Sequence, residues 1–128
     1  MKKITFMLFF LLITTNLFAA EAGELVSIIE LVSNPQNFDG RKVTIVGFLN
    51  LEFEGNAIYL HKNDYEYSIY KNGIWCDIDV AKYSKFNKKH VWLEGTFNTK
   101  SKGHMGLWSG SIEKITRAWE SERSRILK

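Results

Sequence analysis

Lys42-Val43-Thr44-Ile45-Val46-Gly47-Phe48-Leu49-Asn50 is written a second time, in form, as His90-Val91-Trp92-Leu93-Glu94-Gly95-Thr96-Phe97-Asn98. In both copies apolar residues take alternate positions around a glycine in mid-strand. That is the pattern of a half-buried strand that bends sharply or lets another backbone come close. Two bent strands of this kind predict a small closed barrel.

Working outward, Leu25, Ile28, Ile29 and Val32 recur at helical spacing and Ser33-Asn34-Pro35 stops them, so a short amphipathic helix precedes the first strand. Asn37-Phe38-Asp39-Gly40 reads as a turn into a strand over residues 41–53, and Glu54-Gly55-Asn56 as a tight connection into a second strand over 57–61. A polar, aromatic stretch, 63–72, leads through Gly73 into a third strand, 74–79. Residues 80–89 form a short helix or loop, and a fourth strand follows over 91–97. A loop of Lys, Ser and Gly over 98–104 then enters a fifth strand, 105–118, where Gly106 and Gly110 allow bulges. The charged tail, 119–128, reads as helical. Three strands, a short link and two more strands define a mainly β chain. They describe the five-stranded Greek-key barrel of the OB-fold, in which strands one and four are neighbours. An SH3-like barrel or a small sandwich is the alternative architecture.

The start of the chain is an address. Met1-Lys2-Lys3 is positive, residues 4–13 are mostly large and apolar, and Ala20-Glu21-Ala22 matches the small-x-small cleavage pattern of a secretory signal peptide. Cleavage after Ala20 is a second possibility. The apolar run is about half the length a membrane span requires, and no cysteine stands near the cleavage site to accept a lipid. The expectation is a signal peptide over 1–22 and one domain over 23–128, with no membrane span after cleavage. Removing 22 of the 128 residues leaves 106, enough for one core and no second domain. Lys2, Lys3 and Glu21 leave with the leader, so the net charge falls from +3 to about +2. A near-neutral chain offers little to a nucleic acid or an anionic membrane.

Cys76 is the single cysteine, so no internal disulfide forms and the core must supply the stability. It shares an alternation phase with Ile74 and Ile78, which predicts a buried, inert thiol.

Three stretches carry a resemblance: NPQNFDGRKVTIVGFLNLEFEGNAIYL over 34–60, NGIWCDID over 72–79 and KGHMGLWSGSIEKITR over 102–117. Together they look like small exported bacterial OB-like proteins of uncharacterised function, and the resemblance covers nearly all of residues 25–117. It implies the fold and export and carries no reaction.

OB-folds bind ligands on the face of strands two and three and in the loops joining strands one to two and four to five. The first of these loops carries Glu52, Phe53, Glu54 and Asn56; the second carries Lys100, Lys102 and His104, followed by Met105 and Trp108. One rim is acidic and the other basic. A phosphate backbone wants a continuous basic track with stacking aromatics, so nucleic acid is disfavoured and a protein or glycan ligand fits better. Trp75 alternates against Ile74 and Cys76, which places it outward beside Asp77 and Asp79 as the leading ligand contact. Trp92 and Tyr59 are read as core. The candidate ligand-binding set is Glu52, Glu54, Asn56, Trp75, Lys102, His104 and Trp108.

His61, His90 and His104 have no ligand spacing, and Asp77 with Asp79 makes too few oxygen ligands for a hard cation, so no metal site and no cofactor is expected. Neither a nucleophile elbow nor a phosphate loop occurs. The reading is a non-enzymatic binding or accessory module of the periplasm or secreted space. An immunity-type inhibitor of a secreted toxin or hydrolase is the alternative, and a hydrolase using a carboxylate pair such as Glu52 and Glu54 is a third class.

Overall fold

The computed structural model describes residues 20–122. Most of the expected signal segment, residues 1–19, lies outside the described residues, as does the tail from 123 to 128. The strands are β1 (Glu24–Leu25), β2 (Lys42–Asn50), β3 (Ala57–Tyr59), β4 (Gly73–Cys76), β5 (Lys89–Asn98) and β6 (Ser111–Glu120). Three short helices accompany them: α1 (Ile28–Ser33), α2 (Lys62–Glu66) and α3 (Val80–Tyr83).

Strands β2 to β6 close into a barrel in the order β2-β3-β4-β6-β5, with β5 returning to β2, and β1 is added in parallel along the start of β2. The β4–β6 contact is the parallel one of the closed five, and α3 lies in the link between β4 and β5. This is the OB-like barrel the sequence predicts. The two written phrases face each other antiparallel, so that Gly47 stands opposite Val91, Val43 opposite Gly95, and Ile45 meets Leu93 at the centre. A Cβ at Gly47 would lie 2.3 Å from the Tyr59 carbonyl oxygen, and one at Gly95 would lie 2.7 Å from that of Glu113. Both glycines exist for close backbone approach, and the β5–β6 register shifts beside Gly95, between Glu94 and Thr96.

The inward phase of the strands supplies one core, among it Val43, Ile45, Leu49, Ile58, Ile74, Cys76, Val91, Leu93, Phe97 and Ile112. Cys76 is buried as expected, and burial pushes its thiol pKa up. Helix α1 closes the core with Ile28 and Leu31. It starts at a capping box in which the Glu30 amide donates to Ser27 Oγ at 3.1 Å and the Ser27 amide donates to Glu30 Oε2 at 2.9 Å. Such a cap contributes about 1 kcal/mol.

Several boundaries and placements are corrected. Leu25 belongs to β1, so the N-terminal helix starts later, and the β1 pairing was missed because two residues are too few to show a period. The stretch over 63–72 contains α2 and a 3-10 turn. The last strand starts at Ser111 rather than at Met105, because His104–Gly106 forms a tight turn with Met105 at φ 54. Trp119 and Glu120 extend β6, where a helical tail is expected from the charge alternation. Trp92 is not in the core. It sits on the outer face of β5, half-buried, with its ring 6.1 Å from that of Trp119 and nearly parallel to it.

Candidate functional site

In the OB plan the ligand face is the outer surface of the second and third barrel strands, here β3 and β4. The chain covers that face itself. Ala57 and Tyr59 of β3 form a second apolar cluster with Trp108, and Trp75, Tyr65, Tyr70 and Leu107 pack against it. Trp108 Nε1 donates to the Tyr59 hydroxyl at 3.1 Å. Burial raises the Tyr59 pKa to about 12, so the phenol stays neutral and keeps that bond at any physiological pH.

Two of the expected ligand contacts are therefore corrected in their placement. Trp108 is 1% exposed and is the keystone of the covered face. Its backbone amide donates to the Lys102 carbonyl at 3.2 Å, closing the β5–β6 loop around it. Trp75 does point outward, opposite to Ile74 and Cys76, but its ring lies 4.9 Å from that of Trp108 and the loop passes over it. A Cβ at Gly103 would stand 2.4 Å from Trp75 Cδ2, so the glycine backbone rests directly on the indole. Burying an indole beneath a main chain stabilises the fold and removes the flat face from a ligand.

What remains open is the rim. The β2–β3 loop is tied down by its asparagines: Asn50 Nδ2 donates to the Gly55 carbonyl at 3.1 Å, and the Glu52 amide donates to Asn56 Oδ1 at 3.0 Å. Asn56 thus shapes the loop instead of presenting an amide to a ligand. Leu51 is fixed from the far side, its amide donating to Asn87 Oδ1 at 2.8 Å. The β5–β6 loop is held similarly, with the amides of Lys100 and Ser101 on Asn98 Oδ1 and that of Thr99 on Asp39 Oδ1 at 2.9 Å. These bonds from Thr99 lower the Asp39 pKa.

On this scaffold the two loops meet. His104 Nε2 lies 3.3 Å from Glu54 Oε2, and both side chains keep about half of their surface in water. Of the expected site residues, this pair is brought together, Glu52 and Lys102 stand exposed on the same two loops, Trp75 and Trp108 form the floor, and Asn56 holds the β2–β3 loop. Glu54 has φ 55 and Met105 has φ 54, both in the left-handed region that non-glycine residues enter at a cost of about 1 kcal/mol or more. Each of these strained residues adjoins the Glu54–His104 contact.

Two residues complete the rim that the candidate set leaves out. Phe53 is 91% exposed and Met105 is 81% exposed. Their signal was present in Glu52-Phe53-Glu54, an aromatic held between two carboxylates in a loop too short to turn it inward. Among the described residues no cluster of three or more His, Cys, Asp or Glu side chains could hold a metal ion, and no helix is long and apolar enough to cross a membrane.

Comparison with protein-family models, with curated proteins and with solved structures finds no match to this chain. The functional reading accordingly rests on the geometry of the rim.

Proposed function

We propose that the protein is an exported, non-enzymatic binding module that holds a protein ligand on the rim made by the β2–β3 and β5–β6 loops. The observation that carries this reading is the exposure of Phe53 and Met105 on either side of the Glu54–His104 contact. Large apolar side chains in water next to satisfied polar groups are the composition of a protein-binding hot spot, with Phe and Met enriched and charges at the edge. Here the edge is Glu52 and Lys102.

Export follows from the signal pattern of residues 1–22 and from the resemblance to small exported OB-like proteins. A protein ligand is favoured over a glycan because, of the flat faces a sugar ring would stack on, Trp108 is buried and the Trp75 indole is packed against Gly103. Nucleic acid is disfavoured because a phosphate backbone along the rim would meet Glu52 and Glu54. If the ligand is a secreted toxin or hydrolase, the module is an immunity-type inhibitor of it, and the same surface would block the enzyme.

A photo-crosslinking amino acid placed at position 53 or 105 tests the proposal in the secreted and envelope fractions of the source cell. One protein joined from both positions, and not from position 82 on α3, is the expected result. Equal crosslinking from position 82, or none from the rim, would refute it. Retention on a glycan array with the rim intact would move the ligand class to carbohydrate.

A further inference from the structure

The carboxylate of Glu94 is 4% exposed although it sits on the outer face of β5. Thr116 Oγ1 donates to its Oε1 at 2.6 Å, Lys42 Nζ stands 3.3 Å from the same oxygen, and Arg117 lies 3.1 Å from Oε2. Thr44 Oγ1 lies 3.5 Å from Oε2, and the last partner is the backbone nitrogen of Gly23, which donates to that oxygen at 3.0 Å. Gly23 is where the chain joins the protein body. Ala20, Glu21 and Ala22 are exposed, Glu24 begins β1, and the core among the described residues begins at Val26. A Cβ at position 23 would lie 2.7 Å from the Val43 carbonyl carbon and 2.9 Å from Thr44 Oγ1, so the slot admits only glycine. Glu21 and Ala22 border an open cleft of about 420 Å3 shared with Glu24, Arg41 and Lys42.

We infer that Glu94 is the receptor for the amino terminus of the processed chain, and that the processing bond is Ala22–Gly23. The inference rests on the export reading above. Hydrolysis of that bond adds one water: the carboxylate leaves with Ala22, and the nitrogen that now donates as a neutral amide becomes an α-ammonium in the same position. A neutral donor on a buried carboxylate is thereby exchanged for a cationic one, so that the attraction of two opposite charges is added to the hydrogen bond. Lys42 and Arg117 also face Glu94, but both reach water along part of their side chains, so a third cation is tolerated. Glu21 presently accepts from Lys42 Nζ through its carbonyl at 2.7 Å; its departure leaves Glu94 Oε1, 3.3 Å away, as the partner of Lys42. Cleavage after Ala20, the other site the pattern allows, would put the ammonium two residues out, away from the carboxylate. Processing at Gly23 therefore fastens β1 to the barrel, and the mature form is more stable than the precursor.

Three preparations test this: the chain beginning at Gly23 with a free amine, the same chain acetylated at Gly23, and the chain beginning at Glu21. The free-amine form is expected to melt about 4–8 °C above the other two, and the gap is expected to vanish in E94Q. Equal melting of all three, or a gap that persists in E94Q, would overturn the inference. Should E94Q not fold, titration of the 15N-labelled Gly23 amine in the wild-type chain decides: a pKa above the ordinary value of about 8 supports docking, and the ordinary value refutes it. N-terminal sequencing of the exported protein tests the export reading separately. Gly23 as first residue is expected; Glu21, or an uncut leader, would refute the cleavage assignment while leaving the docking measurement to stand by itself.

Discussion

Glu94 and Glu54 are two carboxylates on one small barrel, and their surroundings are opposites. Glu94 is 4% exposed and takes bonds or charges from Thr116, Gly23, Lys42, Arg117 and Thr44, drawn from three separate stretches of chain. Glu54 keeps half its side chain in water, has His104 Nε2 at 3.3 Å as its contact, and stands on a left-handed backbone. The first carboxylate is saturated by the fold and its contribution is to stability. The second has capacity left over beside the exposed Phe53 and Met105, which is what the proposed binding role would use. The contrast separates what holds this molecule together from what it offers.

The contrast can be broken at its strong end first. Gly47→Val should have the largest effect of any single change, about 4 kcal/mol or more, because a side chain there meets the Tyr59 carbonyl with no room to move; a urea midpoint equal to wild type would contradict the bent-barrel geometry. Trp108→Ala should follow at about 3 kcal/mol, by opening a cavity over Tyr59 and orphaning its hydroxyl contact. If binding were lost with no change in urea stability, Trp108 would be a contact and not a floor.

Glu94 comes next and carries a pH signature. Its pKa is held at about 2, through the Thr116 hydroxyl first and then the Gly23 amide, Lys42 and Arg117. A depressed folded-state pKa gives stability that is complete above the unfolded value near 4.5 and is lost as pH falls toward 2. Glu94→Gln should therefore be destabilised at neutral pH by about 2 kcal/mol and should show a shallower loss of stability between pH about 4.5 and 2. Parallel pH curves for variant and wild type would show that the network is not formed. The smallest effect on folding belongs to the rim. Phe53→Ala with Met105→Ala should change stability by no more than about 0.5 kcal/mol while weakening partner capture at least tenfold.

The barrel was legible because its two bent strands advertise themselves by a local pattern, apolar alternation around Gly47 and Gly95, and the link containing α3 set the order of the rest. The covered ligand face was not legible, because it depends on contacts remote in sequence. Trp75 alternates outward as its phase dictates, yet the cover comes from Gly103 and Trp108, and nothing in a window around Trp75 announces them. Trp119 was misplaced for the converse reason: alternating charge at the chain end imitates a solvated helix, while the residue is fixed in β6 by its pairing with Trp92 on β5. The Glu54–His104 meeting was half legible. Both residues were named from loops that the fold brings to one end, and the contact itself needed the register. Glu94 gave no signal, since its donors converge only after the barrel closes.

The measurement that bears most directly on the rim is site-specific photo-crosslinking from position 53 in the folded protein, read by mass spectrometry, with position 82 as the control and melting temperature recorded for each. A single stoichiometric partner joined at position 53 and absent at position 82, with melting unchanged, is the predicted result. Crosslinks of equal yield from both positions, or a partner captured undiminished by the Phe53→Ala, Met105→Ala variant, would show that the two-loop end is surface and not site.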